Sequence, residues 1–262
     1  MSENPYSDEL TRERLLECLG PLGHGLSVSV HRQIDSTNTE AKRMACADPD
    51  ARALIVAEEQ SAGRGRMGRS FYSPLDRGVY FSLLFPVAGR MQNAVSLTCA
   101  ASVAVMRALN ALTGKQTGIK WVNDLYYNEK KVCGILCEAV TVGEKQSLVI
   151  GIGINLWGDV FPEEIATVAG SLGVKTPLRA ALIARVCREL MPYIDDPTDH
   201  SWLTDYRRCS IVLGKRVSWT RESVTKTGTA LSIDEDGALL VRTDVGETER
   251  LSTGEISLRT RS

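Results

Sequence analysis

The chain has 262 residues, which at about 150 per domain predicts one large domain with an appendage or two unequal domains. With 43% hydrophobic and 24% charged residues it has an ordinary globular composition, which excludes a disordered, collagen-like or low-complexity chain. Lys plus Arg total 31 against 32 for Asp plus Glu, a net charge of -1, so any basic site must be local and a binder held by a global positive surplus is excluded.

In chain order, residues 8 to 19 read as a short helix, and Thr37-Asn38-Thr39-Glu40 has capping-box spacing for a second one running to about Cys46. Strands follow at Ala53 to Ala57 and Val79 to Phe85, separated by a Gly/Arg loop. Gln92 to Leu112 predicts a long Ala/Val/Leu-rich helix closed by Gly114. Ile119 to Tyr127 and Val132 to Val140 flank an Asn128-Glu129-Lys130 turn and predict a hairpin, with a further strand from Ser147 to Asn155. Pro177 opens a helix from Leu178 to Met191. After about Arg208 the texture changes to short strands, 215–220, 227–233, 238–243, 247–251 and 256–259, with a turn at Asp236-Gly237. Some fifty residues of this kind suit a small β-barrel, so the expected division is an N-terminal extension 1–27, a catalytic-sized domain 28–210 and a C-terminal barrel 211–262. No repeat is visible.

No apolar run approaches the length of a membrane span of about 18 residues. Met1 to Glu17 is polar and acidic, unlike a signal or transit peptide, so a cytoplasmic location is expected. The seven cysteines are odd in number and scattered through apolar stretches, which predicts free thiols. Cys133 and Cys137 lack two further ligands for zinc, and the three His residues form no matching pair.

The loop Gln60 to Pro74 carries the most chemistry. Gly63, Gly65 and Gly68 satisfy G-x-G-x-x-G after a predicted strand, but Pro74 and Gly78 break the chain where a dinucleotide site needs a helix. The same missing helix excludes a P-loop, and no H-R-D or D-F-G follows for a kinase. What remains is a flexible loop with three guanidinium forks, Arg64, Arg66 and Arg69, which suits either an anion site, a basic strip for RNA or a solvated surface. Phe71-Tyr72 at its end could stack on a base or cap the site.

Lys120-Trp121-Val122-Asn123-Asp124 reads as a strand entering a turn, its charges explained by an ion pair or by chemistry. Strand alternation puts Lys131, Cys133 and Ile135 on one face, with Lys131 free to reach solvent or a ligand. Gly151 and Gly153 leave one strand face bare, for a flat ligand or for a close-packed helix.

Together Ser36-Thr37-Asn38, the Gly63 to Arg69 loop with Ser73-Pro74, Lys120 to Leu125, Lys131 to Leu136 and Gly151 to Asn155 occur in order, and the chain resembles the biotin protein ligases. Asp236 to Leu240 and Gly254 to Arg259 look familial too, so the resemblance covers roughly residues 30 to 260. Phe71 stands where many relatives have Trp, and Val122 where many have Pro. Too few residues precede Ser36 for a winged helix-turn-helix, so the resemblance is to the monofunctional type, with no DNA binding expected.

The resemblance implies an α+β fold: a class II aminoacyl-tRNA synthetase-like mixed sheet with flanking helices, followed by an SH3-like barrel. It implies that biotin and MgATP give biotinyl-5'-AMP, which a lysine of a biotin carboxyl carrier domain then attacks. Two anions meet in the first step, so positive charge is needed at the junction. Lys131 is expected to bridge the biotin carboxylate and the α-phosphate, beside Arg64 and Arg66. Lys120, Arg69, Asn123, Asn155 and a stacking Phe71 are expected on the nucleotide, which Arg66 and Lys131 also touch. Ser36, Thr37, Asn38, Gln60 and Gly63, with bare backbone at Gly134 and Gly151, are expected around biotin. Asp124 either holds Mg²⁺ or accepts the incoming lysine's proton. The Gly/Arg loop doubles as a lid against hydrolysis. A lipoate-type ligase and a non-catalytic sensor of biotin or its adenylate are the alternatives, and a homodimer is compatible with the resemblance.

Overall fold

The computed structural model describes residues 8–87, 94–221, 224–252 and 256–258. After helix α1 (Arg12–Leu19), strand β1 (Ser27–Ile34) runs parallel to β2 (Ala53–Gln60), and α2 (Thr37–Ala47) connects them. Strand β3 (Gly78–Val87) returns antiparallel to β2, and α3 (Ala94–Thr113) follows. Then come β4 (Gly118–Lys120), β5 (Asp124–Tyr127), β6 (Lys130–Val142) and β7 (Lys145–Asn155). The seven strands form one mixed sheet in the order β1-β2-β3-β7-β6-β5-β4. Helices α4 (Glu163–Ala166), α5 (Arg179–Asp195) and α6 (Trp202–Cys209) precede a five-stranded antiparallel sheet. Its strands are β8 (Arg216–Arg221), β9 (Val224–Ile233), β10 (Leu239–Thr243), β11 (Thr248–Leu251) and β12 (Ile256–Leu258), in the order β11-β10-β9-β8-β12. This is the α+β class with the expected C-terminal β unit. Gln92, Asn93 and Arg259, at the ends of predicted elements, lie outside the described residues.

Four local expectations need correction. The predicted strand Ile119 to Tyr127 is two short strands around a turn at residues 121–123, so Lys120 and Asp124 sit opposite one another. The capping box does not form. Ser36 is the N-cap of α2 with no side-chain cap, and the Glu40 N–H that a box at Thr37 would use donates instead to the Ser36 carbonyl at 3.0 Å. Helices α4 and α6 were not anticipated, being too short for periodicity to show. Finally, α3 is by length and composition apolar enough to cross a membrane. Most of it is buried, packed on β6, α5 and α6, so it is apolar nearly all round because neighbours surround it.

The two faces of the large sheet are covered unequally. On one, α1, α3 and α5 bury a continuous core that includes Leu10, Leu15 and Leu19 from the N-terminal segment as well as Val217, Ala230 and Ile233 from the second sheet. On the other, α2 alone covers a small cluster of Ala41, Ala45, Ile55, Leu84 and Val149. The rest of that face is open, and the candidate site lies there.

Candidate active site

Directly opposed residues in adjacent antiparallel strands share a face. One row across the sheet therefore reads Tyr80, Gly153, Gly134, Asp124, Lys120. Two residues along, the next row reads Ile55, Ser82, Gly151, Leu136, and the one after reads Ala53, Leu84, Val149, Glu138 beneath α2. The glycines of the first two rows make a bare floor for a cleft of about 100 Å³. Their lack of side chains is used twice. A Cβ on Gly153 would fall 2.4 Å from the Phe71 ring, and one on Gly151 only 1.9 Å from Asn38 Oδ1. Phe71 thus lies flat over Gly134 and Gly153, edge-on to Tyr80 at 6.4 Å between ring centres.

Strand alternation alone misplaces Lys131. Tyr126 opposes Lys131 and Leu125 opposes Cys133, so Val132 is an extra residue in a bulge. The bulge turns Lys131 onto the Gly134 side while Cys133 and Ile135 stay in the core. Lys131 Nζ pairs with Asp124 at 2.7 Å, both side chains partly exposed to the cleft. The Lys131 backbone is also fixed: its N–H donates to Val168 O at 2.8 Å and its carbonyl accepts from Gly170 N at 2.9 Å.

The Gly/Arg loop folds back over this floor. Gly65 N donates to Arg69 O at 2.7 Å and Phe71 N to Gly63 O at 2.9 Å. Gly68 needs its positive φ of 75°, and Gly63 is needed because a Cβ would meet Phe71 O at 2.3 Å. Gly65 is extended, with φ -123°, so the flexibility expected of all three glycines is required at two. Arg66 donates to Asn123 Oδ1 at 3.1 Å, and Asn123 in turn donates to Ile135 O at 2.9 Å. Arg64 stands 3.5 Å from Glu138 Oε1. Lys120 lies 5.6 Å above the Tyr126 ring, and Arg69 lines the same cleft.

The far end of the cleft is lined by the uncharged polar side chains of Thr37, Asn38 and Gln60, with a Glu138–Lys42–Arg64 charge cluster beside them. Gln60 Oε1 stands 3.1 Å from Thr37 Oγ1, and Gln60 Nε2 donates to Ser73 Oγ at 2.8 Å. Asn38 donates to Glu138 Oε2 at 2.9 Å and accepts from Ser82 Oγ at 2.6 Å. Burial alone would raise the Glu138 pKa, but hydrogen bonds from Lys42 and Asn38, with the charges of Lys42 and Arg64, outweigh it and hold the carboxyl below its ordinary range.

The structure thus gathers Ser36, Thr37, Asn38, Gln60, Arg64, Arg66, Arg69 and Phe71 into one lining. Lys120, Asn123, Asp124, Lys131, Gly134 and Gly151 complete it. Gly63 and Asn155 are not in the lining; Gly63 packs on the Phe71 carbonyl, and Asn155 is buried with its amide donating to Gly170 O at 3.0 Å. Gly153, read from the sequence as part of a bare strand face, lies in the lining as well, whereas Ser82 and Glu138 were missed. A serine within the otherwise bulky run Val79 to Phe85 and a charge beside Cys137 were the available signals. All seven cysteines are free, and burial pushes the Cys137 thiol up to about 11, so it is not a ready nucleophile at neutral pH.

Comparisons with known proteins agree with this geometry. Residues 30–155 match the biotin/lipoate A/B protein ligase family, and residues 212–259 match the biotin protein ligase C terminal domain. The chain belongs to the biotin protein ligase family. It is 32% identical to the biotin--[acetyl-CoA-carboxylase] ligase of Mycobacterium tuberculosis, over 96% of this chain and 95% of that one. It is 34% identical to the bifunctional ligase/repressor BirA of Bacillus spizizenii, over 81% of this chain and 68% of that protein. Its fold matches a biotin protein ligase from Aquifex aeolicus in complex with biotin and ATP, with TM-score 0.73 and 29% identity, covering 90% of this chain and 99% of that one.

Proposed function

We propose that this chain is an ATP-dependent ligase that joins biotin to a lysine of a biotin carboxyl carrier domain, using one cleft for both half-reactions. The observation that carries this is the division of the cleft. Thr37, Asn38 and Gln60 offer neutral donors and acceptors at one end, and Lys131, Arg66, Arg69 and Lys120 gather positive charge at the other. A neutral ureido head with an anionic tail fits that order, with the triphosphate beyond it. A dithiolane head would leave the polar end without partners, which disfavours lipoate. Homologues carrying ligase names disfavour the non-catalytic sensor.

In the first step a biotin carboxylate oxygen attacks the α-phosphorus of MgATP and pyrophosphate leaves. Lys131 sits where these anions meet, and Arg66 stands beside it on the loop. In the second step the acceptor lysine's amine attacks the acyl carbon and AMP leaves. Asp124 is placed to take the amine's proton once Lys131 turns from it to the phosphates. Mg²⁺ is assigned to the nucleotide. Asp124 is a single carboxylate already paired with Lys131, and among the described residues no cluster of three His, Cys, Asp or Glu offers a site of its own. Phe71, lying over Gly134 and Gly153, is assigned to the wall of the biotin site, a change from adenine stacking. Asn155 is assigned to holding Gly170 behind Lys131.

The catalytic unit is placed at 28–210 and the C-terminal unit at 211–262, supported by their separate sheets. The two touch near the site: Trp121 Nε1 donates to Gly237 O at 2.9 Å. A cytoplasmic location and a homodimer complete the reading. The test is pyrophosphate release from ATP: it should require biotin, and lipoate should not replace biotin. No release with biotin present would overturn the assignment.

A further inference from the structure

Lys120 and Asp124 stand at the two ends of the turn between β4 and β5 and line the cleft, while Trp121 and Val122 between them are each only 3% exposed. The turn is therefore held from beneath. Tyr206 of α6 and Ser102 of α3 donate to the Val122 carbonyl at 3.1 and 3.4 Å. The Trp121 indole N–H reaches out of the large sheet altogether and donates at 2.9 Å to the carbonyl of Gly237, in the turn between β9 and β10.

Gly237 is itself confined. Its φ is +83°, and a Cβ there would fall 2.9 Å from Cys99 Sγ on α3, so the turn presses its backbone against that helix in a conformation that favours glycine. Asp234 aims the carbonyl. Its Oδ1 accepts from the backbone N–H groups of Asp236 at 3.0 Å and Ala238 at 2.8 Å, and its own carbonyl accepts from Gly237 N at 3.0 Å. Arg250 holds Oδ2 at 2.6 Å. Helix α6 grips the same turn from another side, with His200 Nδ1 2.6 Å from the Glu235 carbonyl and Arg207 Nε donating to the Ile233 carbonyl at 2.8 Å. Because α6 also holds Val122 through Tyr206, the turn of the C-terminal sheet and the turn beneath the cleft are fixed to a common strut.

We infer that Trp121 is a positioning residue through which the Asp234–Ala238 turn of the C-terminal sheet sets the nucleotide end of the cleft. The inference rests on the nucleotide site described under the proposed function. Lys120 directly precedes Trp121, and Asn123, which holds Arg66 at 3.1 Å, follows two residues later. A ring free to tilt would move both cations' supports together. The biotin end does not share this anchor, since Thr37 and Asn38 begin α2 and Gln60 ends β2. Nor does Lys131, whose backbone is tied to Val168 and Gly170. A one-sided loss, for ATP and not for biotin, is therefore the signature of the anchor, and general loosening of the fold would not produce it.

The KM values for ATP and for biotin are measured by pyrophosphate release with the full-length wild type, Trp121→Phe, Asp234→Ala, Asp234→Asn and the double variant Trp121→Phe/Asp234→Ala. Trp121→Phe keeps a ring and loses the donor, so KM for ATP should rise about tenfold, the size of one buried neutral hydrogen bond, with KM for biotin within about threefold of wild type. Asp234, 23% exposed, lies outside the core, and Asp234→Ala should give the same one-sided rise without touching the ring. Asp234→Asn retains an oxygen for the two backbone N–H groups and should stay within about threefold of wild type for both substrates. Because Asp234 acts through Gly237 on Trp121, the double variant should be no weaker for ATP than the weaker single one. Should Trp121→Phe fail to fold, the two Asp234 variants decide alone. An unchanged KM for ATP in Trp121→Phe or Asp234→Ala, equal rises for ATP and biotin, additive losses in the double variant, or an Asp234→Asn as impaired as Asp234→Ala would each overturn the inference while leaving the ligase assignment standing. A wild type that releases no pyrophosphate with biotin present would overturn that assignment, and the inference with it.

Discussion

Replacing Lys131 with Met tests the proposed reacting junction most directly, because geometry separates its proposed catalytic role from its structural one. The side chain is 29% exposed, its stem lies against the bare face of Gly134, and its close ionic partner among the described residues is Asp124 at 2.7 Å. Losing a partly exposed pair of this kind costs about 1 kcal/mol, which for a chain of this size lowers Tm by about 2–4 °C. The loss to chemistry is larger. Removing one preorganised charge from a site where two anions meet costs about 10²- to 10³-fold in rate, or about 3–4 kcal/mol. The assay is pyrophosphate release at saturating biotin and MgATP, with thermal unfolding measured on the same preparation. The expected result is a rate lowered at least 100-fold with Tm within about 4 °C of wild type. A rate within tenfold of wild type would refute the assignment of Lys131 to the junction.

Asp8→Ala should destabilise the fold by about 3 kcal/mol in urea unfolding, because Asp8 caps α5 from 171 residues away and neutralises Arg179, which is 1% exposed; a loss under about 1 kcal/mol would mean that Glu58, at 3.4 Å, suffices. Arg66→Gly should speed dissociation of pre-formed biotinyl-AMP about 10- to 100-fold, the worth of one charge-assisted hydrogen bond, and an unchanged off-rate would count against a loop that retains the intermediate. Gly65→Val should leave that off-rate within threefold, since Gly65 is extended and its Cβ would meet nothing closer than 3.4 Å; a large increase would show that closure needs a different backbone there. Glu138, with its depressed pKa, contributes stability that is present above the ordinary carboxylate pKa of about 4.3 and is lost as pH falls through the lower folded-state value. Glu138→Gln should therefore flatten the acid limb of the stability profile, and an unaltered limb would place the titration elsewhere.

What was legible in the sequence were elements whose pattern is local. The alternation in Lys131 to Glu138 and the apolar run Val79 to Phe85 located β6 and β3, and the positive-φ pair Asn128 and Glu129 sits in the turn read from composition. What escaped were features set by partners distant in the chain. The bulge at Val132 reverses the facing of Lys131, and only pairing with β5 reveals it. Asn155 carried a familiar motif, but a segment fifteen residues on takes its amide. Gly151 looked like floor for a ligand, and the group that needs its missing side chain is Asn38, brought by α2 from more than a hundred residues earlier. Ser82 reads as a flaw in an apolar strand until Thr37 and Asn38 are placed above it.

The same geometry explains how a chain with net charge -1 can keep a strongly cationic cleft. Cations gathered without ligand repel one another and favour unfolding or a spread-out loop. Here three of them have a resting partner of suitable polarity: Lys131 on Asp124, Arg66 on Asn123, Arg64 on Glu138. An arriving anion therefore exchanges one set of contacts for another and does not assemble the charges anew. Exchange has a direction. Asn123 is neutral and gives up Arg66 most readily, whereas Asp124 releases Lys131 only to a stronger anion, such as a carboxylate and an α-phosphate together. Under the proposed function, Lys131 is in this way freed when both substrates are in place, and Asp124 is freed with it to take the proton of the acceptor lysine.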